Sequence, residues 1–261
     1  RAFAAVLTGS ALAVSGLLLQ GVTRNPLADP FLLGISGGAG LAVVLVNAFP
    51  QLVSALGWWV VPGAAFAGAQ GATVLVMFLA KGVGKRISIV GLVLAGVIIN
   101  SFCAAFTTFL IMQFEPLKMK VTSLWLAGGI GYYDWPQLLG SGILIGGAVV
   151  FIRLKAASLN AFALGEEGAS LVGVDSTKTL NQTAWTASLL AGVAVSLGGL
   201  VGYVGLLVPH VARLLVGGDF KKTILITVFL GALLLLIGDS VARTVMAPRE
   251  LPVGILAALI G

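Results

Sequence analysis

An all-α, polytopic helical membrane protein is predicted by three features of this 261-residue chain. Hydrophobic residues make up 59% of it and charged residues only 9%, with a mean hydropathy of +1.10, whereas about a quarter of the residues of a soluble domain carry charge. The apolar residues gather into runs of about 17 to 25, the length needed to cross a bilayer. Thirty-six glycines suit helices that pack closely in lipid better than they suit soluble helices.

The spans fall at roughly 2–20, 34–50, 58–80, 87–112, 136–152, 180–198 and 222–246, with a shorter run at 205–216 and another opening at 253. Each is expected to be helical, because lipid offers no partner for a bare amide. After the first span, "TRNPLADP" (23–30) reads as a turn set by its Asn-Pro and Asp-Pro pairs. The span that follows opens on "GISGGAG", whose small residues Ser36, Gly37 and Gly38 let helices approach and part. In 87–112, Asn100 and Ser101 put polar groups at mid-membrane, where they need partners. The lone Cys103 reads as a packing residue. The segment 113–135 carries Trp125, Tyr132, Tyr133 and Trp135, as an interfacial anchor does.

Two breaks interrupt the pattern. "GGLVGYVG" (198–205) leads into a run with Pro209 that is too short to cross alone, and broken helices of this kind mark transport paths. "RELPVGI" (249–255) turns at Pro252. The chain starts at Arg1 without methionine and stops inside an apolar run, so continuation at both ends is expected.

Loop charges set the orientation. Arg24, Lys81, Lys85, Arg86, Arg153, Lys155, Lys178, Arg213, Lys221 and Lys222 fall on one side, and Arg1, Lys118, Lys120, Arg243 and Arg249 on the other. The ten-residue side is cytoplasmic by the positive-inside rule. The net charge of +6 is thus spread over helix flanks, and no nucleic-acid patch is read from it. The island "FALGEEGASLVGVD" (162–175) faces the cytoplasm. Its glycines favour two short helices meeting at an angle, which serve as a docking surface or as a plain solvated loop.

Several functions are disfavoured. "AKGVGKR" (80–86) lacks the first glycine and the Ser/Thr of a phosphate-binding loop. Ion-coupled carriers need ionisable groups inside their spans. Here only His210, Arg213 and Asp239 come near, at breaks or ends, and His210 reads as a helix-terminal hydrogen-bonding residue. An aspartyl protease built on "LIGDS" would need a second aspartate opposite Asp239. The single cysteine gives neither a disulfide framework nor a metal site.

"QGVTRNPLADPFLLGISGGAG" (20–40), "ALGEEGASLVGV" (163–174), "GYVGLLVPHVARLLVGGDFKK" (202–222) and "GDSVARTVMAPRELPVGILAALIG" (238–261) resemble the FecCD family, the permeases of ABC importers for iron–siderophores, haem and cobalamin. The resemblance runs along the whole chain, read as one permease domain, 1–261. It implies a ten-helix permease fold with the first helix missing here and the last truncated. It further implies that 159–175 forms paired coupling helices on an ATP-binding cassette ATPase, with Leu164, Gly165, Glu166, Glu167, Ala169 and Leu171 at the contact. ATP and magnesium would sit on that partner, and no cofactor is expected in this chain. Two permease copies, a homodimer, would stand on two ATPase subunits in a bacterial or archaeal cytoplasmic membrane, surrounded by lipid.

Outside, Arg1 and Arg243, with Arg249 as a further candidate, would meet acidic residues of a periplasmic or lipid-anchored substrate-binding protein. For Arg243 a local pair with Asp239 is the other reading. Ser36, Gly37, Gly38, Asn100 and Ser101 would line the path or its gate, or serve only as interhelical hydrogen bonds. The implied cargo is an iron–siderophore, with haem, cobalamin or molybdate as alternatives. A channel or ion-coupled carrier is the rival class.

Overall fold

A computed structural model describes residues 1–81, 88–245 and 250–260. Lys85, Arg86 and most of the "AKGVGKR" loop lie outside the described residues, as does Arg249. Thirteen α-helices and two short 3-10 segments make up the regular structure among the described residues.

The first helix, α1 (Ala2–Thr23), is small and apolar on every side and is buried along nearly its whole length, as expected of a helix with no polar face. The long α12 (Phe220–Thr244) runs antiparallel to it. A Cβ at Gly21 would sit 2.5 Å from the Phe220 ring, and one at Gly9 would sit 2.0 Å from the Gly231 carbonyl oxygen. Arg1 pairs with Asp239 at the far end. Missing side chains let the two backbones touch at mid-membrane.

On another flank of α1 lies α10 (Ser176–Gly198), tied by Ser15 Oγ donating to the Ala187 carbonyl at 2.6 Å. The N-terminal half of α10 is polar yet partly buried, because its hydroxyls bond back along the helix. Thr183 and Thr186 donate to the carbonyls of Thr179 and Gln182, each at 2.7 Å.

Five helices among the described residues are long and apolar enough to cross a membrane: α1, α4 (Val60–Lys81), α5 (Ile89–Ile111), α7 (Trp135–Leu154) and α12. The span expected at 34–50 is instead split. It forms α2 (Ile35–Ala48), about 21 Å long, followed by α3 (Pro50–Leu56) with proline at its first position. A 3-10 turn, Pro30–Leu33, leads into α2 and is capped by Asp29, whose carboxylate accepts from the Phe31 amide at 2.8 Å.

The aromatic segment 113–135 is also more structured than an interfacial loop. It contains α6 (Pro116–Leu126). Trp135 remains exposed and packs against Phe3 at a ring distance of 5.5 Å. Tyr133 turns inward, and its hydroxyl donates to the Leu197 carbonyl at 2.7 Å, satisfying the C-terminus of α10.

The glycine-rich break is realised between α10 and α11 (Val204–Val216). Gly199 (φ 65°) and Tyr203 (φ 67°) both occupy the left-handed region, and a Cβ at Gly199 would lie 2.5 Å from the Trp125 carbonyl oxygen. Inside α11, Pro209 has no N–H, so the Gly205 carbonyl loses its helical donor. Gln20 of α1 replaces it, its Nε2 donating to the carbonyls of Gly205 and Leu206 at 3.2 Å each. The Arg213 guanidinium in turn donates to Gln20 Oε1.

Candidate functional site

Functional groups gather at the two ends of the α1–α12 pair and at one point between. At the inner end stand α8 (Ala156–Ala163) and α9 (Glu166–Leu171), the two short helices the glycine pattern predicts. Ala156, Leu159 and Phe162 bury one face of α8 against α1, α7, α10 and α12.

The elbow between the two helices is Leu164–Gly165. Gly165 has φ 104°, and the Arg24 guanidinium lies 3.2 Å from where a Cβ would stand, so a side chain is disfavoured both by conformation and by space. On α9, Glu167 is exposed. Leu164, Leu171 and Val172 are 73%, 87% and 61% exposed. These apolar side chains stand beside the exposed Glu167. The side chain of Glu166 lies outside the described residues. Ala169, expected at the contact, is instead fully buried, because α9 turns that position toward its own bundle. Gly165 is likewise covered and shapes the elbow.

Asn160 and Asp219, 59 positions apart, meet at the base of the elbow, a pairing that no sequence spacing signals. Asn160 Nδ2 donates to Asp219 Oδ1 at 2.9 Å, and its Oδ1 accepts from the Phe220 amide at 3.0 Å. Asp219 is also the N-cap of α12, accepting from the Lys221 amide at 3.0 Å. Hydrogen bonds from Asn160 and from the Lys221 amide hold its carboxyl below the ordinary aspartate range, helped by the Lys222 and Lys221 charges.

At the outer end, Arg1, Asp239, Arg243 and Glu250 form one cluster. Arg1 Nη2 lies 3.0 Å from Asp239 Oδ1 and Arg1 Nη1 lies 2.6 Å from Glu250 Oε2. Arg243 Nε is 3.2 Å from Asp239 Oδ2, an ion pair without hydrogen-bond geometry at that oxygen. The Asp239 side chain is 1% exposed, Arg1 8% and Arg243 37%. Burial alone would lower the pKa of Arg1; Glu250 and Asp239 outweigh it and raise it. Tyr132 completes the enclosure, its ring centroid 5.5 Å from the guanidinium. Arg1, expected to project toward a partner, is therefore enclosed, since a buried Asp239 requires its charge. Arg243 makes the predicted i, i+4 pair and keeps a partly exposed head. Asp239 is neutralised by arginines, which does not fit an acid dyad.

Between the ends, Asn100 of α5 bridges three groups. Its Oδ1 accepts from the Gly37 amide at 2.9 Å and from the Ser36 hydroxyl at 3.2 Å, and its Nδ2 donates to the Phe31 carbonyl at 2.7 Å. Gly34, the residue capping α2, has no side chain to offer, so Asn100 satisfies the Gly37 amide from a neighbouring helix. Gly37 is closed in by Asn100 and Cys103, and Gly38 meets Gly68 of α4 backbone to backbone. Ser101 stands apart from this junction on an exposed face. Among the described residues no group of three or more His, Cys, Asp or Glu could hold a metal.

Residues 1–261 match the FecCD transport family. The chain is 38% identical to the hemin transport system permease protein HmuU of Yersinia pestis over 263 residues, covering all of this chain and 78% of that one. It is 36% identical to the Fe(3+)-citrate import system permease protein YfmE of Bacillus subtilis, covering all of this chain and 77% of that one. Among solved structures, one described as an inward-facing conformation of a metal-chelate type ABC transporter superposes with a TM-score of 0.89 at 28% identity. That match covers all of this chain and 82% of that one.

Proposed function

The chain belongs to the FecCD transport family, and from that premise we propose that it is the membrane-spanning permease subunit of an ATP-binding-cassette importer carrying an iron–siderophore-type metal chelate. The observation that carries this reading is the exposed apolar rim of the cytoplasmic elbow, Leu164, Leu171 and Val172. That rim is a contact surface for a partner on a chain whose one near-match to a nucleotide loop is incomplete. The partner is an ATPase subunit holding ATP and magnesium. Two permease copies on two ATPases, in a bacterial or archaeal cytoplasmic membrane, close the assembly about a two-fold axis.

Outside, a substrate-binding protein with acidic lobes docks on the partly exposed Arg243, which Asp239 holds in place. Its docking and ATP binding bias the pore between an outward and an inward opening. The Asn100–Ser36–Gly37 junction is where α2 and α5 part. Iron chelate as cargo is supported by relatives named for hemin and for Fe(3+)-citrate. Hemin is the second reading, on the 38% identity to a hemin permease.

Arg243→Glu tests the outer half of this proposal. Affinity for the binding protein, measured on detergent-solubilised complex by surface plasmon resonance, is expected to fall roughly tenfold or more, with a reduced dependence on salt. Unchanged affinity would return Arg243 to a purely structural pair. Cargo is decided by a direct binding screen of the binding protein against ferric siderophores, hemin and cobalamin.

A further inference from the structure

We propose that Asn160 and Asp219 are positioning residues that join the cytoplasmic elbow to α12, so that α12 carries movement between the elbow and the outer arginine–carboxylate cluster. This rests on the reading of the elbow as the ATPase contact.

The two halves of the elbow are held differently. Among the described residues the α9 half packs mainly on α8 and, more sparsely, on α10, and Glu167 and Leu171 are exposed. The α8 half is packed into the bundle. At its inner edge Asn160 uses both ends of its amide on the first residues of α12: Nδ2 on the capping carboxylate, Oδ1 on the Phe220 amide. A single exposed hydrogen bond adds little stability. Two opposed bonds from one side chain fix direction as well as distance, so α8 cannot tilt without turning the α12 cap. The Phe220 ring, packed over Gly21, hands the same displacement to α1. Arg24, at the inner end of α1, lies against the elbow glycine.

From Asp219 to Asp239 is twenty residues of chain, about 30 Å of helix, the thickness of the hydrocarbon core. Along that length α12 is held against α1 by backbone contact at Gly9 and Gly231, which leaves little freedom to bend or slide. Its outer end is fastened to Arg1 and Arg243 through one buried carboxylate. One rigid helix pair therefore ends in a polar joint at each membrane face.

The test uses the complete complex of permease, ATPase and binding protein in nanodiscs and reads the fold-stimulation of ATP hydrolysis by binding protein without cargo. Asn160→Asp sets a second carboxylate against Asp219, and stimulation is expected to fall roughly three- to tenfold, in the lower part of the range of couplings between contacting residues. The exchanged pair, Asn160→Asp with Asp219→Asn, reverses donor and acceptor across the joint, and the new amide oxygen at 219 takes over the Lys221 amide, which Asp219 Oδ1 accepts in the parent together with Asn160 Nδ2. It is expected to recover stimulation to within about twofold of the parent, as contacting pairs do when the interaction is restored. A merely structural role would lower the melting temperature and the basal ATP hydrolysis of the complex along with stimulation, so both are read beside it and are expected to stay at the parent's values. Full stimulation in Asn160→Asp, or an exchanged pair as impaired as the single variant, overturns the proposal. If Asn160→Asp yields no complex, Asn160→Ala removes both bonds without adding charge and answers the same question. Leu171→Asp separates the two levels. If it leaves stimulation intact, the elbow is not the ATPase contact; if it abolishes stimulation while Asn160→Asp does not, only the joint fails.

Discussion

Replacing Asp239 with leucine is expected to destabilise the protein by about 3–5 kcal/mol, the cost of removing one partner of a buried ion pair. The Asp239 side chain is 1% exposed and Arg1, which it neutralises, is 8% exposed. Without the carboxylate, the Arg1 guanidinium keeps the Tyr132 ring and, as its charged partner, Glu250, which is half-exposed and better solvated, and a buried cation is left undercompensated. Asp239→Asn should cost less, because the amide oxygen still accepts from Arg1 Nε, 3.1 Å away. Arg243→Ala is the contrasting case. Its side chain is 37% exposed and its pair is an i, i+4 contact on one helix, which contributes only a few tenths of a kcal/mol. Thermal unfolding in detergent, followed by tryptophan fluorescence, measures all three. If Asp239→Leu melts with Arg243→Ala, the cluster is not the buried anchor described.

The second large effect is on association. Leu171→Asp, and the pair Glu166→Arg with Glu167→Arg, are expected to leave the melting temperature of the permease unchanged, since Leu171 is 87% exposed and Glu167 lies on the same open side. Affinity for the ATPase subunit is expected to fall tenfold or more, because burying one leucine contributes roughly 1.5–3 kcal/mol. Co-purification of the two subunits at fixed detergent and salt gives the measurement. Wild-type association of both variants would make the elbow an ordinary solvated loop.

Much of this organisation is legible in the sequence. The apolar runs mark the long helices α1, α4, α5, α7 and α12 to within a few residues, since length and hydropathy are local properties. The Asp239–Arg243 pair follows from i, i+4 spacing, and the paired helices of the elbow from glycines at 165, 168 and 173. What escapes is what depends on distant chain. Hydropathy runs across the Phe49–Pro50 junction without a change, so it reads one span where the backbone makes two helices. Tyr133 looks interfacial by type, but the α10 carbonyls it satisfies are more than sixty residues away. Arg1 meets Asp239 across 238 positions. Asn160 meets Asp219 across 59. No spacing rule reaches that far. The burial of Ala169 is not legible either, because a six-residue helix is too short to show a period.

Transport with and without the motor is the most direct measurement. Proteoliposomes containing the permease, the binding protein on the outer face and a radiolabelled ferric chelate as probe are expected to accumulate label only when the ATPase subunit is present with ATP and magnesium inside. Accumulation against a gradient by vesicles lacking the ATPase would contradict the account.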